Sequence, residues 1–354
     1  MAVSNIEKIR ERLGGRPLFL TDPISIRYAC GFYIQDGAAL IAEDGAWLFT
    51  DSRYVEAAQE AVKDMQILSA NSGTPIKKLA GDIFAAHRWS AVGAEASRMS
   101  RADWLRLEQD LGVTFTEADA LLADLRRSKN PWEVECMISA QRIAERALDT
   151  VLGLIRPGMT EKEVSAELVY HMYKYGGEAN SFDPIVVAGR KTSLPHGVPG
   201  DNVISDGDFV TMDFGTMYNG YCSDMTRTVA VGHVTDEMKT IYDTVLRAQL
   251  AGIAAARAGV PGRDIDAAAR RVIADAGYGE YFGHSFGHSL GLEIHEAPNA
   301  APSNPDPMPA GAVISAEPGI YIPGRFGVRI EDVLVLTEDG AEVITKAPKD
   351  LIVL

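Results

Sequence analysis

Three of the chain's seven histidines fall in one short stretch, GHSFGHSLGLEIHEAP at positions 283–298: His284, His288 and His295. Imidazole is the commonest side-chain metal ligand and the usual general acid–base, so the cluster points to metal binding, proton transfer or both. The histidines alone do not say which does what. Two acidic hairpins narrow the choice. In DFVTMDFGTMYNGYCSDMTRTVAV, two β-rich runs flank Asn219-Gly220, a strong short hairpin signal. With that pair as the loop, Tyr218 faces Tyr221, Asp213 lies opposite Thr226, and Asp224 shares the face of Asp213 on the diagonal. Two aspartates so placed repel unless a cation lies between them. Taken alone, the segment also allows another register with one aspartate turned to solvent.

The second hairpin is AVISAEPGIYIPGRFGVRIEDVLVL. Glu317 and Glu331 are equidistant from Gly324, so a turn centred there sets them face to face. Arg329, two residues before Glu331, points the same way and could hold a ligand carboxylate in place. A strand-to-strand salt bridge is the plain alternative. Four carboxylates with one or more imidazoles make an oxygen-rich site for hard or borderline divalent ions. Two such ions balance four carboxylates, whereas one would leave the group anionic and costly to bury. The expectation is therefore two divalent ions per chain.

The elements that must carry these residues are also legible. AALIAEDGAWLFT reads as a hairpin turning at Glu43-Asp44-Gly45, where Asp-Gly supplies a positive φ. RYVEAAQEAV and WLRLEQDL read as helices, and MQILSA, SAVGAE and VTFTEA as strands, an alternating α/β pattern. A boundary follows, with one domain expected over 1–123 and a second over 124–354. Asn130 can cap a long helix, with Pro131 at its first position and Glu133 closing a capping box. Thr160 and Glu163 form a second box. Pro157-Gly158 and Pro261-Gly262 are 104 positions apart, as are Asp213 and Glu317, and Gly215 and Gly319. That common offset suggests two similar α/β halves around one site, each giving carboxylates from a hairpin.

Together these residues resemble the "pita-bread" metallopeptidases, a family that includes methionine aminopeptidase, aminopeptidase P and prolidase. The motifs are MDFG, SDMTRT, GHSLGLEIHE, AEPGIYIP and GVRIED, while DPISIRYACGF and LFTDSRY resemble a creatinase-type N-terminal domain. The resemblance spans the chain and implies an α+β fold: a pita-bread catalytic domain with pseudo-twofold halves, preceded by a smaller α/β domain. It implies metal ligands at Asp213, Asp224, His288, Glu317 and Glu331. His295 matches the residue that contacts the substrate carbonyl, His284 a pocket histidine, and His196 of LPHG a further active-site histidine. The implied reaction is hydrolysis by a metal-activated water, with Glu317 as general base and His295 and His196 supporting the oxyanion. Arg329 and Thr226 are expected behind the ligands, with Arg329 also in reach of substrate. His87, His171 and His233 match no motif and are expected to be structural.

The N-terminal domain and intact ligand set favour the proline-specific branch over methionine aminopeptidase and metal-free creatinase. The expected substrates are short peptides with proline second, whose imide bond ordinary peptidases fit poorly. Asn299 follows His-Glu-Ala-Pro where some microbial prolidases carry Arg. That absence favours Xaa-Pro aminopeptidase (aminopeptidase P), with Xaa-Pro dipeptidase (prolidase) as the alternative; Arg325 near the hairpin tip could substitute. A non-catalytic peptide-binding module would be expected to have lost ligands, and none is lost. The carboxylate-rich set favours manganese, with cobalt and zinc tolerated. A net charge of −15 argues against nucleic acid. The 354 residues hold no long apolar run and the start lacks a secretory apolar segment, so no membrane partner is expected. Three cysteines without a CxxC pair fit a reducing cytoplasm, and the resemblance implies a homodimer.

Overall fold

The computed structural model describes residues 4–354. The chain divides into two compact units, residues 1–125 and 126–354. The division lies two residues beyond the expected 123/124 boundary, inside the helix Asp119–Arg127.

The first unit is built on a six-stranded mixed sheet. Its order is Gln66–Ala70, Ala46–Asp51, Ala38–Ile41, Leu18–Leu20, Ala91–Ala94 and Thr114–Glu117. The first three strands in sequence pair antiparallel, and the others join in parallel after helical crossovers. Phe19, Phe49, Phe84, Val92, Trp104 and Phe115 fill its core. The expected hairpin forms, with Ile41 paired to Ala46 and the Ala42 N–H donating to the Gly45 carbonyl. Its glycine serves another purpose than expected. Gly45 is not among the positive-φ residues; a Cβ there would come within 2.2 Å of the Trp47 ring. The side chain is excluded for space, not for backbone conformation.

The second unit repeats one pattern twice. Helices Pro131–Leu152 and Glu161–Lys174 precede a three-stranded antiparallel sheet ordered Met225–Ala230, Phe209–Phe214, Ile185–Ala188. Helices Asp236–Ala255 and Gly262–Asp275 precede a five-stranded sheet ordered Glu296–Ala300, Gly287–Ser289, Val313–Ala316, Asp332–Leu336, Ala341–Val343. A ribbon of Gly319–Ile322 and Phe326–Arg329 extends from it. Each half has its own apolar cluster under its helices. Both capping boxes form, at Asn130/Glu133 and Thr160/Glu163. Among the described residues no helix is long and apolar enough to cross a membrane.

Candidate active site

Register decides which side chains meet. Asp213 pairs with Thr226 and Tyr218 with Tyr221, as the Asn219-Gly220 turn requires, with φ of 48° and 78° at those two residues. The pairs Phe214–Met225 and Met217–Cys222 share that register, which sets Asp224 opposite Gly215 and on the face of Asp213. Only glycine fits there, since a Cβ on Gly215 would lie 1.9 Å from the Ser223 carbonyl oxygen. In the other half, the pairs Ala316–Asp332 and Gly319–Arg329 bracket Glu317 and Glu331 and set them face to face. The two hairpins are stitched together: the Glu331 N–H donates to the Thr226 carbonyl at 3.1 Å, and the Thr226 hydroxyl donates to Glu331 Oε2 at 2.7 Å.

His288, on the short strand Gly287–Ser289, enters from the side. Its N–H donates to the Ser315 hydroxyl at 3.0 Å. Its Nδ1 lies 3.2 Å from the Ser289 carbonyl, which it can only reach as a donor, leaving Nε2 as the lone-pair nitrogen. That Nε2 is 3.4 Å from Glu317 Oε1 and 3.6 Å from Asp224 Oδ2. Ligand atoms of Asp224, His288 and Glu331 all lie within 4.8 Å of one another, a grouping able to hold a metal ion. Arg329 sits behind them. Its Nη2 donates to Asp213 Oδ2 at 2.6 Å, its Nε to Thr226 Oγ1, and its Nη1 to Tyr321 Oη and the Pro195 carbonyl.

These groups line a cavity of about 320 Å³ together with His196, His284, His295, Ser285 and an apolar set, Phe182, Ile185, Pro195 and Ile294. His284 Nε2 accepts from the Tyr321 hydroxyl at 2.9 Å while its Nδ1 donates to the Ser285 carbonyl. His295 is exposed, its ring 4.3 Å from that of His288. The three remaining histidines lie elsewhere, each with a local partner: His87 on the Ile83 carbonyl, His171 near Glu167, His233 on Asp206. Arg325 does not line the cavity; it pairs with Glu237 in the open. Asn299 pairs with His288 across the ladder and is exposed.

Electrostatics of the cavity follow from burial. Burial pushes the Asp224 and Glu331 carboxyls well up, and the neighbouring carboxylates add to it. Glu317 is raised by burial, against the pull of His284 and Arg329. Burial lowers His284 and His288, and partial desolvation together with the neighbouring His288 lowers His295, favouring neutral imidazoles. Asp213 Oδ1, Asp224 Oδ1 and Glu331 Oε1 are buried without a hydrogen-bond partner. Orphaned buried carboxylate oxygens, converging on a neutral imidazole, are what a divalent cation would satisfy.

Sequence reasoning passed over Tyr321, which joins Arg329 to His284. Alternation held its signal: residues 317, 319 and 321 share a face, so the tyrosine had to point where Glu317 points. Ser315, which donates both to Glu317 Oε1 and receives the His288 N–H, is missed because it lies one strand away from its partner histidine.

A hairpin-borne carboxylate–histidine cluster between two similar halves is an arrangement able to hold a metal ion. Metallopeptidase family M24 matches over residues 135–338, and the creatinase/prolidase N-terminal domain over residues 3–128. The chain belongs to metallopeptidase family M24. It is 42% identical to an Xaa-Pro dipeptidase from Bacillus anthracis, with a TM-score of 0.94 and 99% of both chains covered. It is 35% identical to an X-Pro aminopeptidase from Thermotoga maritima, with a TM-score of 0.92, covering 99% of this chain and all of that one. An Xaa-Pro dipeptidase from Pyrococcus furiosus is 35% identical over 95% of this chain and 94% of its own length.

Proposed function

We propose that this protein is an Xaa-Pro dipeptidase, a metal-dependent hydrolase of the bond between a first residue and proline in short peptides. The expected lean towards aminopeptidase P gives way here. An Xaa-Pro dipeptidase is more similar to this chain than the X-Pro aminopeptidase, at 42% against 35% identity, and the Pyrococcus relative is also a dipeptidase. The cavity, at about 320 Å³, is at the small end of ligand sites and suits a dipeptide. The observation that carries the reading is the set of buried, orphaned carboxylate oxygens facing His288.

Asp213, Asp224, His288, Glu317 and Glu331 would hold two divalent ions, with manganese favoured by the carboxylate-rich set. Such ions lower the pKa of a water and polarise a carbonyl. Glu317 takes the water's proton and passes it to the proline nitrogen as that bond breaks. His295, kept neutral, donates an N–H to the developing oxyanion, with His196 across the cavity. The chain Asp213–Arg329–Tyr321–His284 fixes the far wall. The protein works in this reading as a homodimer, as its resemblance to the family implies, in the reducing cytoplasm that three cysteines without a CxxC pair fit. The test is a product assay under several metals, comparing Xaa-Pro with Xaa-Pro-Yaa-Zaa. Cleavage of the dipeptide alone supports the proposal; efficient cleavage of the tetrapeptide returns it to aminopeptidase P, and cleavage of neither overturns both.

A further inference from the structure

No hydrogen bond among the described residues holds the His295 imidazole, so the backbone beneath it must place the ring. Immediately after it comes Glu296, whose side chain is 5% exposed although it carries a charge. It is met by two cations from the start of the second unit. Lys129, 2% exposed, donates to Glu296 Oε2 at 3.1 Å, and Arg126 donates to Glu296 Oε1 and to Glu293 Oε2, the latter at 2.8 Å. Lysine is almost never buried so fully unless paired. The two cations face two carboxylates, with Lys129, Glu296 and Arg126 largely out of water and Glu293 reaching the solvent.

The set grips the loop between His288 and His295. The ladder breaks register after His288, so that Ser289 faces Glu296. The Glu293 N–H donates to Glu296 Oε1 at 3.1 Å. Gly291 lies flat on the same carboxylate, where a Cβ would come within 2.7 Å of its oxygens. The Gly291 carbonyl in turn accepts from the Cys222 N–H, two residues from Asp224. The cations are themselves anchored: the Lys129 N–H donates to the Gly311 carbonyl, and the Ser128 hydroxyl to the Ala310 carbonyl. A buried ion set of this kind contributes little net stability, but removing one member leaves an uncompensated charge and lets the backbone move.

We infer that Glu296, with Arg126 and Lys129, is a positioning clamp that sets His295 against the reacting carbonyl. The inference rests on the hydrolytic reading above for its kinetic part only. Glu296→Gln removes the charge at constant shape, and Lys129→Arg keeps it. Hydrogen exchange of the amides in 290–296 reads the clamp without any substrate. It should quicken at least 10-fold in Glu296→Gln, remain near wild type in Lys129→Arg, and leave the sheet strand Val313–Ala316 unchanged. On an Xaa-Pro dipeptide, Glu296→Gln should lose about 10- to 100-fold in kcat with KM within about 3-fold, and titrate the same number of metal ions per chain. Unchanged exchange in the loop, or exchange quickened throughout the unit, overturns the clamp. A loosened loop with unchanged kcat overturns its positioning role. If wild type cleaves no Xaa-Pro substrate, the hydrolytic reading fails while the exchange result still decides the clamp.

Discussion

Asp213, Asp224, Glu317 and Glu331 crowd one cavity, and among the described residues that line it only Arg329 stands against them as a fixed positive charge. Proton and metal compete for these oxygens, since burial and mutual repulsion raise the Asp224 and Glu331 carboxyls. Metal loading at neutral pH should therefore release protons. Thr226 is the sharpest probe, because its hydroxyl donates to Glu331 and accepts from Arg329 Nε. Thr226→Val keeps the shape and removes both bonds; metal affinity should fall about 10- to 100-fold by calorimetric titration, with the fold intact by circular dichroism. His295→Ala should instead lower kcat by roughly 100- to 1000-fold with KM little changed in steady-state kinetics, since it removes a donor to the transition state. Unchanged kcat would take His295 out of the oxyanion role. The carboxylates were legible at this scale because hairpin register ties position to face. Glu296 was not: its partners Arg126 and Lys129 lie far back in the chain, and no local spacing links them.

Elements place these residues through close backbone approaches as much as through ladders. Gly215 and Gly287 each lie against a carbonyl, at 1.9 Å from Ser223 and 2.0 Å from Ser315 for an added Cβ. Gly215→Ala should push the Asp224 segment off Asp213 at a cost of about 1–3 kcal/mol in denaturant unfolding. It should weaken metal binding further than that cost alone explains; an alanine variant with wild-type metal affinity would mean that this contact does not set the aspartate pair. The 104-residue offset foretold the paired halves because element starts recur close to it: Pro131–Leu152 against Asp236–Ala255, and Phe209–Phe214 against Val313–Ala316. Turn geometry was less secure. Asp44-Gly45 looks like a positive-φ turn in sequence, yet Gly45 yields to the bulk of Trp47, a packing constraint that no local motif records.

At the scale of the molecule, two units with separate cores can be addressed separately, and one buried group in the first makes that testable. Glu95 is 4% exposed, accepts from the Ser25 hydroxyl, and has Oε2 without a partner. Burial pushes its pKa up to about 7, against the Ser25 hydrogen bond and with help from Asp22. An unfolded glutamate titrates near ~4.3. The folded value is the higher one, so its contribution to stability is full below about pH 4 and is lost as pH rises through about 7. Glu95→Gln should therefore be more stable than wild type at pH 8 by on the order of 3 kcal/mol, with the difference gone only below about pH 4. Metal acts on the second unit, where a site at a hundredfold excess over its Kd adds about 2.7 kcal/mol. Scanning calorimetry should accordingly show two transitions. Glu95→Gln and pH should move the first unit's transition alone, and chelator or metal the second's. A single transition that answers to both would mean that the units unfold as one, and that charge buried in the first unit weakens the metal-binding half as well.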